Sequence, residues 1–220
     1  MGAKCWLLAY SPGNAADLLR EKPPLDPAAT DALLARLFPG DVHEARGRVD
    51  LLEALPRSGE RCAGVFGDVA LVMDDAFALD NLSRLDRGLI DAGGAGRVTA
   101  ICMHSVVDWA AVAVWENGTL RRALSLSPDA GIIEDVGERM DFEAPYWAGE
   151  HPAIDPEDED PDEPGYPFPF HPLDLGEAAL ASLIGYQIEG VVGAAPLDFG
   201  DVELVDYVVS AAKKPWWKIW

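Results

Sequence analysis

The chain has 220 residues, 49% of them hydrophobic and 25% charged, and its 38 Asp and Glu against 17 Lys and Arg give a formal net charge of -21. That length buries about 70% of the surface an unfolded chain exposes, enough for one full core. The charge excludes nucleic acid as a partner of the folded body, because such binding rests on Lys and Arg neutralising phosphates. It also disfavours an anionic membrane surface, and by complementarity it points to a protein or small-molecule partner that is basic or cationic.

Targeting signals are not read in the chain. The apolar run Cys5 to Tyr10 is too short for a signal-peptide core, and Trp6 stands where a myristoylation pattern begun at Gly2 needs Ser or Thr. No run approaches the roughly 18 apolar residues of a membrane span. Cys5, Cys62 and Cys102 are odd in number, far apart and set in apolar runs. They read as small hydrophobes of a reducing cytoplasm, not as a disulfide framework.

Taken in chain order, Ala3 to Ser11 reads as a strand stopped by Ser11-Pro12-Gly13-Asn14. Asp26 and Pro27 supply the N-cap and first position of a helix that Pro39-Gly40 ends. Residues 41 to 60 show no clear period. Ala63 to Phe66 and Val69 to Asp74 form two strands across Gly67-Asp68. Asn81 to Ala92 carries Leu82, Leu85 and Leu89 at helical spacing before Gly93. Strands follow at 98–103 and 110–115, and Asn117-Gly118 supplies both positive-φ positions of a type I′ turn into a strand at 120–126.

Beyond that hairpin the sequence reads as irregular to Pro152. Residues 155–165, DPEDEDPDEPG, hold seven acids and three prolines in eleven positions and are expected to stay solvated. Tyr166 to Pro172 is expected to be extended. Asp174 and Glu177 match a capping box for a helix to about Ile184, and a strand is expected near Val202 to Val209. Strands and helices mix without βαβα alternation, so the fold class is α+β, a mainly antiparallel sheet with packed helices in two layers. We read residues 1–210 as one domain with an acidic insertion, followed by the basic, Trp-rich tail 211–220.

Three arrangements suggest chemistry. His104, Ser105 and Asp108 evoke a hydrolase, but on a straight strand His104 and Asp108 stand roughly 13 Å apart at about 3.3 Å per residue, and Ser105 faces the other way. Glu150, His151 and His171 flank the acidic run and invite a metal, yet no HExxH, H-x-H or CxxC supports one. Gly93-Gly94-Ala95-Gly96 follows a helix and precedes a strand, the reverse of a dinucleotide fingerprint, so the glycines read as a turn and no cofactor is expected. No residue is assigned as catalytic.

The binding candidates are Phe142, Tyr146, Trp147, Glu150 and His151, which mix flat rings with polar tips as pockets and interface anchors do. The same rings fit a segment folded back as cover for the sheet. Trp109 and Trp115, six apart on one strand, share a face and read as core. Trp216, Trp217 and Trp220 sit among three of the five lysines of the chain and suggest a tail that docks on protein, or weakly on membrane. The preferred function is thus a non-catalytic binding or regulatory protein using residues 142–151. The alternative is a small hydrolase or metal-dependent enzyme using Glu150, His151, His171 and His104.

The segments MGAKCWLLAY, SVVDWAAVAVWENGTLRRALSLSPDAGI, DFEAPYWAGEHP and YPFPFHPLDLGEAAL resemble an uncharacterised actinobacterial family of unknown function, with SLSPDAGI and PYWAGEHP the most specific stretches. The Ala-, Gly- and Arg-rich, Lys-poor composition fits that origin. The resemblance implies no activity and no catalytic residue.

Overall fold

A computed structural model describes residues 4–154, 165–189, 197 and 200–211. Nine strands, β1 (Lys4–Ser11), β2 (Asp41–Asp50), β3 (Glu60–Phe66), β4 (Val69–Met73), β5 (Arg97–His104), β6 (Trp109–Glu116), β7 (Thr119–Ser127), β8 (Gly131–Gly137) and β9 (Glu203–Ala211), form one sheet in the order β2-β9-β3-β4-β1-β5-β6-β7-β8. Every pairing is antiparallel. The helices are α1 (Ala15–Leu19), α2 (Pro27–Leu37), α3 (Arg87–Asp91), α4 (Ala144–Trp147) and α5 (Pro172–Leu183). The α+β class and the antiparallel sheet are therefore as expected.

Helical elements cover both faces, so the expected two layers become three. Along β1, Cys5, Leu7 and Ala9 join one buried cluster with α1 and α5, while Leu8 and Tyr10 join another with α2, α3 and the turns at Asp75–Phe77 and Leu82–Arg84. The period of two that puts alternate side chains on opposite faces explains why β4 to β6 read as continuous apolar runs. Cys5, Cys62 and Cys102 are free and buried within these strands. Burial pushes the Cys5 and Cys62 thiols up to about 12.

Several elements form for the reasons the sequence carries. Asp26 caps α2 by accepting from the Ala29 N–H, with Pro27 at its first position. Asn117 and Gly118 adopt φ of 51° and 72°, as a type I′ turn requires. Several readings change in the structure. The helix expected at 81–92 breaks at Leu85, whose backbone is extended, and restarts behind Asp86 as N-cap of α3. The helix near residue 174 starts earlier: His171 caps it through Nδ1, which accepts from the Leu173 N–H, and Glu177 accepts from Ile188 and Glu189 N–H instead of closing a capping box. Residues 131–137, expected to be irregular, are edge strand β8. Residues 41–50 are the other edge strand, β2, largely exposed and held by β9. The segment 167–170 bends, burying Phe168 and Phe170 instead of running extended. Residues 155–164 of the acidic run and residues 212–220 of the tail, with Trp216, Trp217 and Trp220, lie outside the described residues.

A β-bulge on β7 sets the geometry of one face. The β6–β7 register passes from Val114↔Arg122 to Trp115↔Leu120, leaving Arg121 as the extra residue. Leu120 packs with the cluster of α2 and α3, whereas Leu124 and Leu126 belong to the opposite cluster. The bulge thus re-aims Arg122 to the α5 side. Across the ladder Arg122 pairs with Gly137, whose φ is +83° and where a Cβ would lie 1.9 Å from the Arg121 carbonyl oxygen. Gly137→Ala is expected to cost about 1–3 kcal/mol from backbone strain alone, with more from the clash, read as a fall in the urea midpoint at unchanged slope.

Candidate functional site

Residues 141–151 leave β8 and fold back over the sheet. The segment is fixed by Arg122, 1% exposed, which meets Glu143, 0% exposed, through two parallel bonds: Nε to Oε1 at 2.8 Å and Nη2 to Oε2 at 2.7 Å. Arg122 also donates to Asp135 and to the Val136 carbonyl. Glu143 in turn accepts from the Met140 N–H at 3.0 Å and the Trp147 Nε1–H at 3.4 Å. A planar guanidinium fork matches a carboxylate in this bidentate way, and a buried charge needs every such partner.

This clamp decides where the expected binding residues go. Tyr146 is 2% exposed and belongs to the core beside Phe170, at 5.7 Å and edge-on. Trp147 is half-buried against Phe170 at 4.9 Å, with the Arg139 guanidinium 4.1 Å above its ring, and Phe142 packs on the same cluster. Glu150 and His151 are exposed, and the His151 ring lies on Tyr146 at 4.6 Å. Of the five, the structure turns the Phe142, Tyr146 and Trp147 rings onto the sheet and leaves Glu150 and His151 outside.

The histidines divide. His171 Nε2 stands 3.6 Å from Asp108 Oδ2 and its ring stacks on Tyr166 at 5.8 Å. Because its Nδ1 accepts from Leu173, the proton of the neutral ring is on Nε2, facing Asp108. His104 instead accepts at Nδ1 from the Val106 N–H and lies against Trp6 on the other face. Residues 105–108 form the β5–β6 turn, with Asp108 at φ 46°, so the segment does bend, but it sends Asp108 to His171 and away from His104. Among the described residues no group of three or more His, Cys, Asp or Glu is placed to hold a metal ion.

Near the start of α5 the electrostatics run against charge. Burial raises Asp174 and Glu177 above the ordinary carboxylate range. Tyr146 and Tyr166 are both pushed up to about 12, by burial first and then by Asp174 together with Glu177 or Asp108. Their buried hydroxyls find no hydrogen-bond partner among the described residues.

The sequence reading missed a cleft at one end of the sheet, on the α2/α3 face. There β1 begins, β5 ends, β6 begins and β7 ends, and about 420 Å³ opens between Trp6, His104, Val107, Trp109, Ser127 and the segment carrying Ala78 and Asp80. Trp109 pairs directly with His104 across the β5–β6 ladder, and Trp6 lies 5.6 Å from the His104 ring and 6.2 Å from Trp109. Trp109 spends its N–H inside, donating to Ser125 Oγ at 2.9 Å. The far wall is held by Asn81, which donates to the Ile133 carbonyl, and by Ser83, whose N–H donates to Glu134. Val107, in the lining, is 50% exposed. The His104/Trp109 pairing was within reach of the hairpin pattern. Trp6 was not, because its place depends on β1 pairing with β5, where its register partner is Cys102.

Two outcomes follow from these contacts. Glu143→Ala, which strands the Arg122 charge, is expected to cost about 3–5 kcal/mol in chemical denaturation, and replacing both partners with Met and Leu to recover most of it. Asp174 has a folded value raised above its unfolded one, so the stability it contributes is full below the ordinary carboxylate range and lost as pH rises through the folded value. Asp174→Asn is therefore expected to be more stable than the native chain at pH 7 and equal to it near about pH 3, measured as thermal midpoints across that range.

A family model described as a family of unknown function, DUF6928, matches residues 5–207, and the chain belongs to that family. No curated protein and no solved structure matches it.

Proposed function

From membership of a family without an assigned activity, we propose that this chain is a non-catalytic binding protein whose ligand seat is the Trp6–His104–Trp109 cleft. One observation carries the reading: three aromatic rings held by a rigid sheet end line a concavity of about 420 Å³. That volume falls in the range of small-molecule sites, which are mostly apolar with a few placed polar groups. Here those groups are Asp80, Ser127 and His104. The walls are strands and a segment pinned to β8, so the seat is formed before the ligand arrives.

The 142–151 segment is better suited to supporting the sheet than to meeting a partner. Tyr146 lies in the core, and Glu143 and Trp147 are engaged with Arg122 and Arg139. An enzyme built on Glu150, His151, His171 and His104 would need them to converge on one pocket. His104 instead faces away from the side where His171 meets Asp108.

The test is an NMR titration of protein labelled at its tryptophan indole N–H groups, with the Trp6 and Trp109 signals assigned through Trp6→Phe and Trp109→Phe. Phenol and cyclohexanol, as neutral probes of a small apolar seat, are expected to move these two signals and leave the Trp115 and Trp147 signals in place. Uniform or absent shifts at saturating probe would overturn the reading.

A further inference from the structure

We propose that the ligand of this cleft is a small organic cation carrying a methylated ammonium group. The inference rests on the reading of the cleft as a ligand seat, and it adds the chemical class. Among the described residues, the lining contains one carboxylate, Asp80, and neither Lys nor Arg. Asp80 lies on the segment Ala78–Asp80 that forms one wall, and its side chain is exposed at the mouth. Lys4 stands opposite His104 in the register, at the strand end outside the lining.

The ring chemistry selects the same class. Indole faces attract cations through their quadrupole, Trp most strongly of the aromatic side chains. Trp109 cannot offer its N–H to a ligand, since Ser125 already accepts it, so it recognises through its ring surface and apolar body. His104 accepts from Val106 at Nδ1, which leaves an N–H on Nε2 in the neutral ring and no second acceptor nitrogen there. A primary ammonium or guanidinium asks for several acceptors at once. A methylated ammonium asks for none: it spreads its charge over methyl groups that fit apolar walls such as Val107, Ala78 and Ile133. One carboxylate at the mouth then suffices as counter-charge. A chain with a net charge of -21 would in addition raise the local concentration of any such cation.

The decisive comparison is between choline and 3,3-dimethylbutan-1-ol, which replaces the ammonium nitrogen with carbon at nearly constant shape. In titrations read from the Trp6 and Trp109 indole signals of the whole protein, choline is expected to bind about tenfold more tightly than the carbon analogue. Asp80→Asn, a change at an exposed side chain, should weaken choline several-fold without moving the thermal midpoint. Trp6→Leu should abolish the preference for choline while keeping an apolar wall. Equal binding of the two compounds would overturn the cationic class and leave the cleft standing as an apolar seat. Binding of phenol or cyclohexanol with no response to choline would do the same. Silence of both indole signals toward every compound would remove the cleft reading and this inference together.

Discussion

The pairing of Arg122 with Glu143 is the constraint from which the architecture of the α5 face follows. A guanidinium placed in the face of a sheet loses its water, and only a matched set of acceptors makes that tolerable. The bulge at Arg121 aims Arg122 inward, and Glu143, the Asp135 carboxylate and the Val136 carbonyl converge on it. The consequence is positional. Glu143 sits one residue before α4, so once it is clamped, Tyr146 and Trp147 must fall on the sheet against Phe170. Phe170 leads directly to His171, the cap of α5, which itself packs on β5 and β6 closely enough that a Cβ at Gly176 would meet the Met103 sulfur at 2.5 Å. One ion pair thereby locates the segment that covers this face and leads into its packing with Phe170.

The two faces are finished differently. On the α5 side, polar groups are drawn inward and charge is suppressed, as the raised carboxyls of Asp174 and Glu177 and the raised phenols of Tyr146 and Tyr166 show. On the α2/α3 side, Arg61 forms the corresponding buried ion pair with Asp74, reinforced by Asp41 and by the Phe38 ring 3.4 Å from the guanidinium. That pair holds the end of β4, immediately before the turn that supplies Ala78 and Asp80 to the cleft. Both faces thus use a buried Arg to locate a non-repetitive segment, but one segment closes over the sheet and the other stops short of its end.

What the sequence made legible was mostly local. The β6–β7 hairpin, the Asp26 cap, the antiparallel α+β class and the core role of the cysteines follow from neighbours a few residues apart, where one physical cause dominates. The edge strands were not legible. DVHEARGRVD in β2 is charged and mostly exposed, and it is a strand because β9 pairs with it from more than 150 residues away. GIIEDVG in β8 alternates poorly because a second register shift, between Ser125 and Leu126, breaks its period. The clamp on residues 141–147 was invisible for a related reason: nothing near Arg122 in the sequence names its acceptor, and Glu143 meets it from 21 residues away. The cleft suffered most, since Trp6, Asp80, His104 and Trp109 come from three separate stretches that only the sheet order brings together.

Trp109 and Trp115 show how the same sequence signal leads to two outcomes. They lie on one strand and one face, and both are buried. Trp115 sits toward the β6–β7 turn, where α3 is tied down by Arg87 donating to the Gly118 carbonyl, and Leu85, Leu89 and Ile90 complete the packing around it. Trp109 sits six residues away at the other end of β6, beyond the helical cover, where the segment that approaches it is Ala78–Asp80 and the space left is the cleft. A tryptophan whose only task was packing would gain nothing from an open end, and the ring of Trp6 beside it would be better buried. Their placement at a strand end beyond α3, with the Trp109 N–H already satisfied from within by Ser125, leaves their rings as walls of the cleft.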